Sequence, residues 1–234
     1  MTISTQNISL QQAAVIGGNL LGFGSGMSMQ EQDDVRNTFQ LATLVANKLH
    51  DKDTEAQAWF GKFASVLVDT GWLRLTSRYG KRSDVSQSLK VANVLVSLVQ
   101  GAVATAISGT PLSAVLGKLA GDVLSNLPKT GEAFQVFERG TKTDRGSMVG
   151  VASCLKTLEG EILLALGVVD LSTAEHDYDV LFFDWDANEV LIYEASMVLS
   201  VNASLIAQNR DKIMVALGKR VEDNIQIYLD LLAD

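Results

Sequence analysis

Apolar residues recur at helical spacing through the first half of the chain and at strand spacing from residue 133 onward. In "SMQEQDDVRNTFQLATLVANKL", Phe39, Ala42, Ala46 and Leu49 share one side, and Ser28 with Glu31 three residues later forms a capping box. A helix is therefore expected over residues 29–49. Ala56, Trp59, Phe60, Phe63 and Leu67 repeat at three and four residues, which predicts a second helix over 54–70, capped by Asp53 and closed by Gly71. "WLRLTSRYG" alternates as a short strand does. Further helices are expected over 86–108 and 111–127, the latter started by Thr110 and Pro111.

After residue 133 the period falls to two. "AFQVFE", "SMVGVASCLKTL", "EILLALGVV", "DYDVLFFDW" and "EVLIYEASMVLSV" read as five strands joined by short polar turns, so neighbours should be antiparallel. Asn202 or Ser204 then caps a helix over 203–232 with Ile206, Ile213, Leu217, Val221, Ile225, Tyr228 and Leu232 on one stripe. The order of elements is that of an α+β fold: a helical N-terminal half of two helical hairpins, packed with an antiparallel β-meander of about five strands and a long C-terminal helix. We expect one domain over residues 1–234, with a helical part at 1–130 and the meander plus C-terminal helix at 131–234. "LPKTGEAF" is the best boundary between the two parts, and a sheet this apolar needs more cover than one helix supplies.

Residues 91–117, "VANVLVSLVQGAVATAISGTPLSAVLG", carry no charge between Lys90 and Lys118. Ser86, Lys90, Asn93, Ser97 and Gln100 recur at four and three residues and form a polar stripe on the first helix, with Val96 on the apolar side opposite. The first arm is at the lower limit for crossing a bilayer, and the second meets Lys118 and Asp122 early. A buried hairpin at the centre of the fold is the expected state. The alternative is an amphipathic hairpin that refolds into lipid with Asn93, Ser97 and Gln100 lining water, which makes Asn93, Val96, Ser97 and Gln100 the candidate membrane or partner surface.

Charge narrows the choice of partner. The net charge is −8, unevenly placed: residues 1–131 hold 11 Lys and Arg against 9 Asp and Glu, and residues 132–234 hold 8 against 18. Nucleic acid needs a clustered basic surface and is not expected as a partner. The eight acids between Asp170 and Glu194 are read as a solvated edge that resists strand pairing. The single cysteine, Cys154, excludes an intramolecular disulfide and a multi-cysteine zinc site. The N-terminus lacks the basic segment of a secretory signal, so a cytoplasmic location is the default expectation, with export lacking a cleaved signal as the alternative.

Catalytic motifs fail in turn. "VIGGNLLGFGSG" has Asn19 where a dinucleotide fingerprint needs its second glycine, and it reads instead as a mobile loop before the first helix. "HD" occurs at His50 and His176, but two histidines are too few for a metal-dependent phosphohydrolase. "DWDANE" departs from a calcium loop at Glu189 and Ala195. Cys154 lies on a strand with Gly150 and Ala152 on its own face, which suits a core thiol; its alternatives are a nucleophile paired with His176 and a surface thiol open to acylation. No cofactor and no metal are expected.

"SMQEQDDVRNTFQLATLVANKL", "VLVDTGW" and the later "VLFFDW" are together similar to a loosely defined group of uncharacterised bacterial proteins of about this length. The resemblance spans about a third of the chain, implies a bacterial source and brings no site residue with it. Three classes of function remain. The first is a non-catalytic protein that acts by binding a protein partner or itself, as a homo-oligomer. The second is a membrane-active effector or toxin that uses the apolar hairpin 86–127. The third is a small-molecule hydrolase with His50 or His176 beside an acid in a deep pocket.

Overall fold

The computed structural model describes residues 8–82, 89–108, 111–127, 132–143, 146–172, 184–185 and 191–233, with side chains in the last helix described as far as Gly218. The chain opens with β1 (Leu10–Ile16) and β2 (Asn19–Gly24), then runs through α1 (Met29–Leu49), α2 (Ala56–Asp69) and β3 (Leu73–Lys81). The short β4 (Leu89–Lys90) leads into α3 (Val91–Ala106) and α4 (Leu112–Asn126), followed by α5 (Glu132–Thr141) and β5 (Lys142–Thr143). The last part comprises β6 (Gly146–Lys156), β7 (Glu161–Ser172), β8 (Asp184–Trp185), β9 (Leu191–Asn202) and α6 (Ala203–Ala233).

One sheet in the order β1-β2-β6-β7-β9-β3 organises the molecule, with β5 added against β6. All its pairs are antiparallel except β2 with β6, which run parallel with Asn19 opposite Gly150 and Phe23 opposite Cys154. The sheet is buried on both faces, which explains why Ile162 to Val169 of the central β7 read as one unbroken apolar run. On one face α3 lies over β7 and β9 while α4 lies over β2 and β6; α1, α2 and α6 cover the other face. Side chains of β7 alternate accordingly, Leu163, Ala165 and Val169 towards α3 and α4, Ile162, Leu164 and Leu166 towards α1 and α2.

Local chemistry sets the helix ends. Ser28 accepts from the Glu31 amide and Glu31 from the Ser28 amide, so the expected capping box starts α1. Asn202 accepts from the Ser204 amide at 2.9 Å and starts α6. The cap of α2 differs from expectation: Glu55 takes that position without a side-chain bond, while Asp51 Oδ1 accepts from the amides of Asp53 and Thr54 and shapes the turn before it. Gly71, at φ +112°, ends α2 in a conformation that side chains disfavour. The α1/α2 pair is locked by Phe39 edge-on to Phe63 at 4.8 Å and Trp59 stacked on Phe63 at 5.5 Å, each pair worth about 0.5–1.5 kcal/mol beyond burial.

The α+β class stands, and four parts of the expected layout change. The N-terminal half is not wholly helical, because β1, β2 and β3 all join the sheet. The glycine-rich stretch is a β-hairpin turning at Gly17 and Gly18, and not a loop. "AFQVFE" lies in α5, whose Phe137 is buried against the α3/α4 side of the sheet. The helix expected from residue 86 starts at Val91 after the two residues of β4. Of the expected strand "DYDVLFFDW" only Asp184 and Trp185 are described, paired with Leu89 and Lys90 in a small separate sheet; Val221, Ile225, Tyr228 and Leu232 lie outside the described side chains.

Candidate functional surface

The α3–α4 hairpin rests on backbone where other covers rest on side chains. A Cβ at Gly167 of β7 would lie 2.8 Å from the Leu95 carbonyl oxygen and 3.0 Å from Leu98 Cβ, so only glycine lets α3 come this close. Gly22 of β2 does the same for α4, where a Cβ would fall 2.1 Å from Val123 Cγ2. Within the hairpin, Gly117 leaves room for Gln100, Gly121 faces Val96, and Ser113 Oγ donates to the Gln100 carbonyl at 2.8 Å. Isolated glycines inside apolar runs, in "NLLGFG" and "LLALGVV", were the sequence signal for this close approach.

Both helices are amphipathic. On α3, Leu95, Val99 and Val103 are fully buried while Asn93, Ser97, Gly101 and Thr105 face water. On α4, Leu112, Leu116, Leu119 and Val123 are buried while Ala114, Lys118, Ser125 and Asn126 are exposed. The candidate residues therefore separate. Asn93 and Ser97 form the outer stripe, whereas Gln100 turns into the α3/α4 seam and Val96 lies half-buried beside it, so Val96 is not the core position opposite the stripe. Ser86, Gly109 and Thr110 lie outside the described residues.

The two covers are attached by different chemistry. On the α1/α2/α6 side charge takes part: Lys156 Nζ of β6 meets Glu31 Oε1 of α1 at 2.6 Å and ties that helix to the sheet, and Arg210 of α6 donates to both oxygens of the buried Asp34 of α1 at 2.6 Å each, joining two helices of the cover. Burial alone would raise the Glu31 pKa, but the Lys156 and Ser28 hydrogen bonds outweigh it and hold the carboxyl below its ordinary value. The Asp34 contact raises the Arg210 pKa. Among the described residues, no side-chain hydrogen bond or ion pair of α3 or α4 reaches the sheet or a helix outside the hairpin; their polar contacts, such as Lys118 with Asp122 at 3.3 Å, stay within it. Under the hairpin, the buried Ser153 Oγ has no hydrogen-bond partner in the structure.

Titratable groups gather at the far end of the sheet. Lys52, in the α1–α2 connection, donates to the Gly140 carbonyl at 3.2 Å and sits 5.6 Å from the Trp59 ring centre. Burial lowers its pKa to about 8 against the opposing pull of Asp170 and Asp53. Burial raises the Asp170 pKa although Tyr79 donates to it at 3.3 Å, and burial followed by the Asp170 charge raises that of Tyr79. The amine already has a carbonyl acceptor and two nearby carboxyls, so the cluster acts as a strut between the α1–α2 turn, α5 and the sheet. His50, 3.6 Å from Glu55, lines an open cleft of about 460 Å³ together with Asn47, Lys48, Leu49, Asp51 and Lys52. All six come from one continuous segment, so nothing described faces them across the cleft to hold a reactant.

Cys154 is 1% exposed on the α1/α2/α6 side of β6, and burial pushes its thiol pKa up. That places it as a packed thiol, away from solvent; His176 lies outside the described residues. Among the described residues no group of His, Cys, Asp and Glu could hold a metal ion, and no helix is long and apolar enough to cross a membrane.

No family model matches the sequence, and no curated protein is similar to it. A solved structure titled delta-endotoxin resembles the chain with a TM-score of 0.48 at 11% identity, over 86% of this chain and 91% of that one.

Proposed function

We propose that the protein is membrane-active and that the α3–α4 hairpin is the element released to meet the lipid. The observation that carries this reading is the contrast in attachment: the Lys156–Glu31 ion pair ties α1 to the sheet and Arg210–Asp34 ties α6 to α1, while among the described residues α3 and α4 are seated by apolar contact and by glycine. Apolar contact is the one attachment a bilayer replaces at little cost, because lipid tails solvate the same surface. With 16 and 15 residues, α3 and α4 fall short of the roughly 20 needed to span, so the hairpin suits the interface plane. Its buried stripe of Leu95, Val99, Leu116 and Val123 would face the acyl chains, and Asn93, Ser97 and Lys118 the water. The polar stripe then has the same role before and after release.

The test is a reversible tether. Gly22→Cys with Val123→Cys sets two thiols against each other at the α4–sheet contact, where a Cβ at residue 22 would meet the Val123 side chain, and Cys154 is buried on the opposite face of the sheet. Dye release from lipid vesicles should be abolished in the oxidised variant and restored by reductant. Equal release by the oxidised variant and the parent overturns the reading. A reduced variant that causes no release but forms a stable oligomer, or captures a protein through the opened hairpin, favours action by protein binding instead.

A further inference from the structure

The β3 edge closes the sheet on the side opposite β1. It pairs with β9 from Leu73 opposite Ser200 to Lys81 opposite Tyr193, and among the described residues no strand pairs with its outer side. Arg74, Arg78 and Lys81 are exposed along this edge, and none of them meets a carboxylate among the described residues; the next cation, Arg82, is already paired with Glu194. From Arg74 to Lys81, seven steps of strand, the three charges cover about 23 Å, with Arg74 opposite Leu199 and Lys81 opposite Tyr193 on one face and Arg78 opposite Ser196 on the other. Leu73 and Leu75 stand among them, 65% and 38% exposed. The register shifts between Arg74 and Thr76, so Leu75 has no partner in the ladder.

Charges and a bulge are the usual guard of a sheet edge against pairing. Two exposed leucines undo part of that guard, and a surface that wants both cations and apolar groups explains them. We propose that the β3 edge docks the protein on an anionic lipid surface, with Arg74, Arg78 and Lys81 at the headgroups and Leu73 and Leu75 in the interface. The choice of a lipid as occupant rests on the membrane reading above. A second copy is disfavoured, because edge-to-edge pairing sets cation against cation. An extended nucleic acid would use the cations but leave the exposed Leu73 and Leu75 without a role.

The test uses the full chain and vesicles of phosphatidylcholine with and without phosphatidylserine. The parent should partition more strongly onto the anionic vesicles, on the order of a hundredfold for three cations at low salt, and Arg74→Gln/Arg78→Gln/Lys81→Gln should remove that preference. A parent without the preference, or a variant that keeps it, overturns the proposal. So does full competition by an acidic peptide that adds to the strand edge while vesicles are ignored. Dye release is scored separately. Charge-dependent partitioning without release leaves the docking edge standing and removes membrane action, whereas release without charge dependence does the reverse.

Discussion

Replacing Gly167 by alanine puts one methyl group where α3 rests on β7. The new carbon would lie 2.8 Å from the Leu95 carbonyl oxygen, 3.0 Å from Leu98 Cβ and 3.5 Å from Val99 Cγ2. Only the last of these can give way. The first two belong to a helix and move with it, so α3 must lift by several tenths of an ångström, and the seam with α4 at Gly117 and Gly121 shifts with it. Overpacking of this kind costs about 1–3 kcal/mol. For a chain of 234 residues that is a fall in Tm of about 2–12 °C, read by far-UV circular dichroism. Gly101→Ala is the matched control, in the same helix but on its exposed side with nothing within 4 Å. It should gain about 0.5–1 kcal/mol from backbone entropy and helix propensity. If Gly167→Ala melts at or above the parent while Gly101→Ala behaves as expected, the close seating is wrong and with it the case for an apolar, glycine-based attachment. If the seating is right, Gly167→Ala should also release dye from vesicles faster than the parent.

Three other outcomes are expected. Val99→Asp should cost about 3 kcal/mol or more by burying an unpaired charge, and Val96→Asp distinctly less, since Val99 is fully buried and Val96 lies half-buried at the seam; urea titration compares the two. Cys154 should react with a thiol reagent slowly in the native state and fast in denaturant, and because its pKa is raised on folding, the stability it contributes is complete below the ordinary thiol value of 9.0 and lost as pH rises above it. The advantage of the parent over Cys154→Ala should therefore shrink in alkali. Glu31 has the opposite sign: its support is complete above the ordinary carboxyl value of 4.5 and is lost as pH falls below it, so the acid limb of the stability curve should be flatter in Glu31→Gln.

Elements whose signal is local were legible in the sequence. Ser28 and Glu31 mark the start of α1 because a capping box needs only four residues, and the long apolar runs of β6, β7 and β9 are too regular to mistake. Two elements were misread for a shared reason, that a residue chosen for contact imitates one chosen for conformation. Gly22 and Gly24 make "NLLGFG" look like a loop, yet Gly22 admits Val123 of α4, and a side chain at Gly24 would meet Ile8, the Cys154 carbonyl and Leu119. In "AFQVFE", Phe134 and Phe137 stand three apart in a segment too short to separate period two from period 3.6, and helix α5 wins because Phe137 has a core to fill. The candidate surface was half legible: Asn93 and Ser97 follow from periodicity, but the turn of Gln100 towards Gly117 depends on a second helix whose seating no single-helix pattern encodes.

The parallel pairing of β2 with β6 fixes the order in which the molecule can assemble. Asn19 waits for Gly150, and α3 and α4 leave the ribosome before any of β6, β7 and β9 exists. From the end of α4 to the end of β9 is about 75 residues, or about 4–15 s of synthesis at ~5–20 residues per second, during which the hairpin lacks the central strands of the sheet it lies on. Until Asn202 has emerged, Leu95, Val99, Leu116 and Val123 therefore lack the β6, β7 and β9 surface that buries them, and on the membrane reading proposed above that interval is when a bilayer would compete with the sheet for the hairpin.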